Sequence, residues 1–303
     1  MAAMTHSCAP APKDERVSVV VLTFNRPTEL RHTLGQLSAL PERPPIVVVD
    51  NGSQGPGTNG VLKDFPDVQA VRCHANLGAA GRNAGVAQVR TPYVAFCDDD
   101  TWWSPGALKH AADVLDSHPQ LGALSARVLV GPQNRDDPTC ERMARSPLAA
   151  HGLPGPALIA FMAGAVVMRA ESFRAAGGYE PRLFLGAEEA LLALDMAARG
   201  WRMAYVPTVT THHHPSPARN NARRLVATSR NRIWIAWMRL PWSEAWLATF
   251  HHLREARRQA LLGPVLAATA VGLPWALRHR QVLPPDVLAM HKTVFGSQPP
   301  RQP

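Results

Sequence analysis

The 303-residue sequence is poor in cysteine, and the few that are present follow no site pattern. Its four cysteines are spread along the chain without a CxxC pair (Cys8, Cys73, Cys97 and Cys140). This spacing matches neither a zinc site nor the dense disulfide framework of a small secreted protein. The first residues also lack the apolar core and cleavage site of a signal peptide. We therefore expect a protein of the reducing cytoplasm.

Two nucleotide-binding signatures and one membrane signature are also missing. No GxGxxG follows the first apolar run, and no glycine-rich loop ends in the Gly-Lys-Ser/Thr of a P-loop. These absences argue against a dehydrogenase and against an ATPase. The apolar stretch 261–277 is shorter than the roughly 20 residues that span a bilayer, and it contains Pro264 and Pro274. A transmembrane helix is therefore not expected there.

Acidic residues are scarce in the C-terminal third, where most of the positive charge lies. The formal net charge of the chain is +9, and residues 199–280 contain 13 arginines against two acids. Arg-rich helices with several tryptophans are also found in nucleic-acid-binding modules, so that function is an alternative. The remainder of the chain is close to neutral and carries an acidic cluster. We therefore expect no nucleic-acid partner.

The sequence up to about residue 215 alternates strand and helix patterns. Nearly continuous β-branched runs at 17–24 and 46–50 are typical of parallel strands buried on both faces, and a helical pattern at 27–40 separates them. Further strands are predicted near 68–72, 93–98 and 123–130, and further helices at 81–89 and 104–117. This alternation predicts an α/β protein with a doubly wound sheet.

Three regions follow from these patterns. A disordered tail is predicted over 1–16, an α/β domain over 17–215, and a basic, mainly helical extension over 216–303. Within the α/β domain, residues 131–156 lack periodicity and are predicted to form a long loop.

Polar residues cluster where the predicted strands end, which is where an open parallel sheet binds its ligand. The residues in these positions are Thr23, Asn25, Asp50, Asn51, Asp98, Asp99 and Asp100. Three successive carboxylates repel one another and are costly at the end of a buried strand unless a cation neutralises them. The triplet therefore predicts a divalent cation site. The alternative is that it solvates a loop or caps the next helix.

Two loops offer further groups for a nucleotide. In NLGAAGRNAG (76–85), Gly78 and Gly81 allow close backbone approach, and Arg82 supplies a cation for phosphates. In DNGS, Asp50 is placed to bind a base or a ribose, and the alternative is an ordinary Asx turn.

Two clusters of ionisable residues occur later in the chain. Glu188 and Glu189 begin a predicted helix, where they are either a general base and its neighbour or simply favourable first-turn acids. His212, His213 and His214 follow a predicted strand, and one imidazole there would complete an oxygen-rich metal site. The alternative is a solvated run of histidines.

Taken in this order, several of these segments resemble the family 2 glycosyltransferases of the GT-A fold. The resemblance covers roughly residues 17–214 and is carried by VVVLTFNRP at 19–27, VVVDNGS at 47–53, NLGAAGRNAG and the DDD triplet. Residues 161–201 are similar to the family's acceptor-side block, in which an acidic pair follows a GGF/Y element. The resemblance implies a GT-A-type doubly wound sheet, mixed but mostly parallel, flanked by helices and followed by a C-terminal helical extension.

The resemblance also implies a reaction. An inverting enzyme of this family would transfer a hexose or deoxyhexose from a nucleotide diphosphate sugar, with UDP or dTDP favoured, to an acceptor hydroxyl. The acceptor would be a glycan, a glycolipid or a small molecule, in cell-envelope polysaccharide, glycolipid or secondary-metabolite glycosylation. The alternative is a sugar-nucleotide binder or a nucleotidyltransferase, although FNRPTEL lacks the Gly-rich, Lys/Arg-containing loop of pyrophosphorylases.

The resemblance implies roles for individual residues as well. Glu189 matches the family's catalytic Asp and is expected to be the base, with Glu188 orienting the acceptor; where the family has an acid two residues later, this chain has Leu191. Mg²⁺ or Mn²⁺ is expected on Asp98, Asp100 and His212. The residues expected to bind the nucleotide sugar are Thr23, Asn25, Arg26, Asp50, Asn51, Gly81, Arg82, Asn83, Asp98 and Asp99.

The apolar stretch 261–277 is flanked by pairs of arginines. Arg257 and Arg258 precede it, and Arg278 and Arg280 follow it. This pattern suggests peripheral contact with an anionic membrane, at its inner face and near a lipid-linked acceptor. The alternatives are a helical appendage packed on the catalytic domain and a homodimer contact.

Overall fold

The computed structural model describes residues 14–215 and 221–296. The tail predicted over 1–16 lies outside these ranges except for its last three residues. There, Arg16 forms ion pairs with Asp14, Asp113 and Asp116. The predicted boundary at 215/216 falls where the first described range ends.

The described strands form one mixed sheet. They are β1 (Val17–Thr23), β2 (Ile46–Asp50), β3 (Gln69–Arg72), β4 (Tyr93–Asp98), β5 (Thr101–Trp103), β6 (Leu121–Val130), β7 (Arg135–Asp136), β8 (Ala157–Leu158), β9 (Val166–Arg169) and β10 (Arg202–His213). The strand order is β3-β2-β1-β4-β9-β6-β10-β5, with β7 beside β6 and β8 beside β10. The longer ladders, β1 with β2 and β4, β2 with β3, and β6 with β10, are parallel. The predicted mixed, mostly parallel sheet is confirmed.

Helices cover both faces of this sheet and continue beyond it. They are α1 (Pro27–Ser38), α2 (Gly57–Lys63), α3 (Gly81–Val86), α4 (Ala107–Ser117), α5 (Pro138–Ala144), α6 (Ala170–Ala175), α7 (Glu188–Ala198), α8 (Asn221–Arg239), α9 (Trp242–Arg258), α10 (Leu262–Arg278) and α11 (Pro285–Phe295). Short 3₁₀ turns lie at Gly78–Ala80 and Pro181–Leu183.

Alternation along β1 explains why helices are needed on both sides. Val19 and Val21 pack with leucines of α1 and α4 in one hydrophobic cluster, whereas Val20 packs in the other, with residues of α3, α7 and α8. Successive side chains of a strand point to opposite faces, so a strand that is apolar at every position must be covered twice.

Two local predictions are corrected. The helix expected from Ser104 begins at Ala107, because Thr101–Trp103 pairs with β10 instead and Gly106 adopts a left-handed conformation at φ 81°. The loop expected over 131–156 contains β7 and α5. The cap of α5 is Asp137, whose Oδ1 accepts a hydrogen bond of 2.7 Å from the Thr139 amide.

The C-terminal helices pack on α7 of the sheet domain through both α8 and α11. Arg239 of α8 makes a two-pronged ion pair with Asp195 of α7, with Nε 2.5 Å from Oδ1 and Nη2 2.9 Å from Oδ2. On its other side α8 contacts α9 and α10. Within the described ranges, no helix combines the length and the apolar character needed to cross a membrane.

Candidate functional site

The three aspartates after β4 have three different sets of neighbours. Asp99 is buried and accepts hydrogen bonds from Thr23 Oγ1 at 2.9 Å and from Arg26 Nη1. Burial raises the pKa of Asp99 to about 7, although Arg26 and Thr23 act in the opposite direction. The middle aspartate therefore fixes the triplet to the end of β1.

The two outer aspartates face different cations. Asp98 is the more exposed of the two and pairs with Arg82. Asp100 is buried and accepts a hydrogen bond of 3.0 Å from Arg26 Nη2, and its Oδ1 lies 3.7 Å from His213 Nε2. The repulsion expected within the triplet is thus relieved by two arginines in this structure.

The structure brings His213, rather than His212, to Asp100. His212 is turned away: its Nε2 lies 2.9 Å from Ser104 Oγ and its Nδ1 lies 3.1 Å from Asn134 Oδ1. Adjacent residues of β10 point to opposite sides of the strand, so only one of the two can face the triplet. Through its backbone amide, His214 also reaches Asp100, donating to its carbonyl oxygen at 2.9 Å.

A cation at this position would need ligands from outside the protein. Nowhere in the described ranges do three or more His, Cys, Asp or Glu side chains come together so that they could hold a metal ion. The Asp100 carboxylate and the His213 imidazole nevertheless offer oxygen and nitrogen donors of the types that Mg²⁺ and Mn²⁺ accept. These residues fit a cation that a bound phosphate helps to hold.

Asn25 and Asp50 shape the loops at the ends of β1 and β2. Asn25 has a positive φ of 56°, and its Oδ1 accepts a hydrogen bond of 2.7 Å from the Gln54 amide. Asp50 Oδ1 accepts a hydrogen bond of 2.8 Å from the Ser53 amide, three residues further on, and this bond holds the turn that follows β2. Its Oδ2 lies 4.0 Å from Arg72 Nε.

The loop 76–85 is positioned by residues that were expected to bind the donor. Asn51 Nδ2 donates to the Gly78 carbonyl at 2.9 Å, and Asn51 Oδ1 accepts from the Leu77 amide at 3.0 Å. A Cβ at Gly81 would lie 2.7 Å from a Leu22 methyl carbon and 2.8 Å from Asn51 Oδ1, so only glycine fits. These contacts hold the loop against β1 and β2.

Asn83 connects this loop to the acceptor-side segment. Its Nδ2 donates to the Tyr179 carbonyl at 2.8 Å, and its Oδ1 accepts from the Tyr179 amide at 2.9 Å. Gly178, at φ 69°, allows this approach because a Cβ there would lie 2.7 Å from Asn83 Oδ1.

Arg82 lies between the aspartates and the glutamates. Its guanidinium is buried, pairs with Asp98 and lies 5.5 Å from the centre of the Tyr179 ring. Burial by itself would lower the pKa of Arg82, but the charges of Asp98, Glu188 and Glu189 help to raise it above its ordinary value. One fixed cation therefore joins the two acidic clusters into a single site.

The acid pair begins α7. Glu188 is buried, and Glu189 is partly buried. Burial first, and then the charge of Glu189, raise the pKa of Glu188 to about 8. One carboxylate oxygen of each residue, Oε2, is enclosed without a hydrogen-bond partner from the described part of the chain. Buried polar atoms without partners are rare in folded proteins and often mark a site of strain or of catalysis.

The loop of residues 184–187 leads into the acid pair, has a strained backbone and contacts the loop 76–85. Phe184 and Ala187 have positive φ values of 59° and 65°, which residues with a Cβ rarely adopt. The Phe184 carbonyl accepts a hydrogen bond of 2.7 Å from the Ala79 amide, and a Cβ at Gly78 would lie 2.0 Å from that oxygen. The two halves of the site thus meet through their backbones.

Two residues of α8 that sequence reasoning missed complete this region. Asn231 is fully buried, and its Nδ2 lies 2.8, 3.2 and 2.6 Å from the carbonyl oxygens of Leu183, Leu185 and Gly186. Arg232 lies near Glu189; burial lowers its pKa, while the charge of Glu189 acts in the opposite direction. The segment SRNRIW (229–234) could have indicated Asn231, because a buried polar residue on an apolar helix face usually has a specific hydrogen-bond partner.

Comparison with known proteins agrees with the predicted family and fold. The family model described as glycosyl transferase family 2 matches residues 18–175. This range contains the aspartates and the loop 76–85, and it ends before the acid pair. Among curated proteins, the chain is 26% identical over 294 residues to the N-acetylglucosaminyl-diphospho-decaprenol L-rhamnosyltransferase of Mycobacterium tuberculosis. That alignment covers 80% of this chain and 96% of the relative.

Solved structures share the fold at low sequence identity. The mannosyltransferase PcManGT from Pyrobaculum calidifontis, solved with GDP-Man and Mn²⁺, superimposes with a TM-score of 0.57 at 20% identity, covering 96% of this chain and 79% of that one. GalNAc-T7, solved with UDP, GalNAc and Mn²⁺, gives a TM-score of 0.61 at 14% identity, covering 87% of this chain and 56% of that one. These likenesses show a GT-A glycosyltransferase fold.

Proposed function

Because this chain belongs to glycosyl transferase family 2, we propose that it transfers a hexose or deoxyhexose, with inversion, from a nucleotide diphosphate sugar to an acceptor hydroxyl. The supporting observation is the single site in which Arg82 lies between the aspartate triplet and the pair Glu188–Glu189. A donor diphosphate needs cations, and an attacking hydroxyl needs a base; this site offers both groups.

The donor diphosphate is proposed to lie at the aspartate triplet. Asp100, with Asp98 and His213, would hold Mg²⁺ or Mn²⁺, which supplies Lewis-acid stabilisation to the departing diphosphate. His213 replaces His212 here because it faces Asp100. Two solved structures with this fold contain Mn²⁺ with GDP-Man or with UDP and GalNAc. Arg26 and Arg82, which pair with the aspartates, are proposed to bind phosphate oxygens of the donor.

The chemical step is proposed to use the acid pair. Glu189 accepts the proton of the acceptor hydroxyl as the oxygen attacks the anomeric carbon from the side opposite the diphosphate. Burial raises the pKa of Glu188 to about 8, so Glu188 is mainly protonated at neutral pH. Arg82 and Arg232 place positive charge near Glu189. A single displacement of this kind inverts the anomeric configuration.

The acceptor is proposed to be a sugar on a lipid diphosphate, in cell-envelope polysaccharide or glycolipid assembly. The relative from Mycobacterium tuberculosis is named for such an acceptor and for L-rhamnosyl transfer. With that relative as a guide, dTDP and UDP are the first donor nucleotides to test. The apolar side chains Phe184 and Leu185, exposed beside the acid pair, suit an acceptor that carries a lipid.

The test is a transfer assay with a defined acceptor. The protein is incubated with UDP-, dTDP- and GDP-sugars, Mn²⁺ or Mg²⁺, and a short-chain lipid diphosphate N-acetylglucosamine. Release of the nucleoside diphosphate is measured, and the product anomer is assigned by NMR. We expect turnover with one donor class and inversion. Glu171→Gln, which changes an exposed glutamate of α6, is the matched control for Glu189→Gln. Retention of configuration, or no turnover by folded protein, would contradict the proposal.

A further inference from the structure

Helix α10 buries one face against α8. The buried side chains of α10 include Val265, Thr269 and Ala276, and Gly272 between them lies against the Trp234 ring. The Trp234 indole N–H donates a hydrogen bond of 2.9 Å to the Thr269 carbonyl. This spacing is that of a helix packed along one stripe.

The opposite face of α10 is also apolar, although it is exposed. No charged side chain occurs from Leu262 to Leu277, and Val271 is 85% exposed. The exposed residues before the final arginine are Gly263, Pro264, Leu266, Ala267, Ala270, Val271, Pro274 and Leu277. A helix that is apolar all round is normally covered on all sides. In the part of the chain that the structure describes, this one is covered on one side only.

The neighbouring helix α9 adds exposed aromatic groups. Trp246 is 52% exposed and Phe250 is 64% exposed, one turn apart, and their rings stack with centres 5.9 Å apart. Leu247, beside them, is 70% exposed. Tryptophan and phenylalanine are enriched where proteins meet the interfacial region of a bilayer.

The charges around α10 are positive at both ends. Arg257 and Arg258 are exposed just before the helix, and Arg278 is exposed at its end. Of the two acids between residues 199 and 280, Glu244 pairs with Lys292, and Glu255 pairs with Arg258. The apolar face is therefore framed by cations, which suits a negatively charged surface.

We propose that the exposed face of α10 docks on the surface of an anionic lipid bilayer. A helix of 17 residues is about 25 Å long at 1.5 Å per residue. This is less than the roughly 30 Å of a hydrocarbon core, so α10 would lie in the interface rather than cross it. A second copy of the chain fits this face less well. Antiparallel α10 helices would bring Arg257 of one copy near Arg278 of the other, and like charges would oppose the contact.

The docking face adjoins a groove at the starts of α8 and α10. The groove, of about 400 Å³, runs between the starts of α8 and α10 and is lined by Ala222, Arg223, Val226, Ala227, Arg230, Leu261 and Pro264. Arg230 also lies 3.4 Å from the Leu183 carbonyl, in the segment that precedes the acids. Docking would thus place lipid beside Arg230, which contacts the segment that precedes the acid pair. This last consequence rests on the proposed function, whereas the docking surface itself does not.

The test measures vesicle binding rather than activity. The full chain is floated with vesicles of phosphatidylcholine alone or with 30–40% phosphatidylglycerol (about one lipid in three anionic), at low and high salt. We expect binding to the anionic vesicles, weakened at high salt. Val271→Glu should reduce the bound-to-free ratio at least about tenfold, because it places a charge on the apolar face. Ala87→Glu, at an exposed site on the sheet domain, is the matched control and should bind like the wild type.

A second pair of variants tests the charges. Arg257→Glu with Arg278→Glu should abolish binding to anionic vesicles, whereas Lys63→Glu with Arg90→Glu, which changes the net charge equally, should not. Circular dichroism checks that every variant is folded. Equal vesicle binding by Val271→Glu and the wild type would overturn the docking surface. The proposal would also be overturned if the wild type bound no vesicles and formed a dimer that the Val271→Glu variant does not form. That result would assign the exposed face of α10 to a second copy of the chain.

Discussion

At the scale of residues, adjacent glutamates have different surroundings and different proposed tasks. Glu188 is buried, so its proton is retained near neutral pH, whereas Glu189 lies beside Arg232 and Arg82. We therefore propose that Glu189, which lies near these two cations, is the base and that Glu188 orients the acceptor.

Removing each carboxylate should have unequal effects on transfer. Glu189→Gln removes the base, and we expect kcat to fall by about 10²–10⁴-fold. Glu188→Gln keeps a neutral hydrogen-bonding group in place of a neutral acid, so we expect a loss of less than about tenfold. Steady-state kinetics with both variants checks this, and the reverse order of effects would assign the base to Glu188.

Glu188 should also make stability depend on pH. Its pKa rises from 4.5 to about 8 on folding, so the folded protein holds a proton that the unfolded chain loses. The resulting stability is fully present below about pH 4.5 and is lost as pH rises through about 8. Between pH 5 and pH 9 we expect the wild type to lose roughly 2–4 kcal/mol more of its unfolding free energy than Glu188→Gln does.

Urea unfolding of both proteins at the two pH values measures this difference, with Glu171→Gln as the control that should follow the wild type. If the wild type instead gained stability relative to Glu188→Gln as the pH rises, the folded protein would not be holding a proton on Glu188.

The residue types of the site were predictable from the sequence, but their partners were not. The acidic triplet and the acid pair stand out because carboxylates are costly beside buried elements. The choice between His212 and His213 depends on which side of β10 faces Asp100, and the bulge in the β6–β10 ladder makes that alternation unpredictable from spacing. Asn51 and Asn83 proved to hold backbone groups in place, a role that depends on contacts distant in sequence.

At the scale of elements, the loop of residues 184–187, which leads into the acid pair, depends on α8. Residues 184–187 follow the 3₁₀ turn Pro181–Leu183 and have no regular secondary structure. The Asn231 side-chain amide lies within hydrogen-bonding distance of the carbonyl oxygens of Leu183, Leu185 and Gly186. Asn231 therefore acts as a positioning residue for the acid pair that follows this loop.

Asn231→Ala should lower activity more than its effect on stability explains. The loss of a buried donor costs about 1–3 kcal/mol, and release of the loop should lower kcat at least about tenfold with a smaller change in KM. Thr249→Ala is the matched control, because it removes the partner of the buried Trp237 indole at 2.9 Å elsewhere in the helical region. Equal activity of the two variants at equal stability would contradict the positioning role.

The elements of the first half were predictable because their signals are local. Runs of β-branched residues bounded by Pro and Gly indicate buried strands, and this signal does not depend on contacts with distant parts of the chain. Helix α5 was also within reach of the sequence, since Asp137-Pro138 is a typical N-cap followed by a first-turn proline. By contrast, the strand β5 forms because Trp103 is buried against β10, and no local pattern announces that pairing.

At the scale of the whole molecule, the C-terminal helices and the sheet are joined by buried polar contacts. The Arg239–Asp195 pair and Asn231 connect α8 to α7 and to the loop before it. We expect one cooperative thermal transition, with a calorimetric enthalpy equal to the van't Hoff enthalpy. Differential scanning calorimetry measures both. Two separate transitions would show that residues 216–303 form an independent domain.

The most direct test of the account is the binding of a nucleoside diphosphate that depends on a divalent cation. The melting temperature is measured with UDP, dTDP, GDP and CDP, each with Mn²⁺, Mg²⁺ or EDTA, for the wild type, Asp100→Asn and the exposed control Asp67→Asn. A nucleotide at 100 times its Kd adds about 2.7 kcal/mol to the unfolding free energy, which is a shift of several degrees. The account predicts this shift for one nucleotide with a cation, retained in Asp67→Asn and lost in Asp100→Asn. A folded wild-type protein that no nucleotide stabilises would contradict it, as would an equal shift in EDTA.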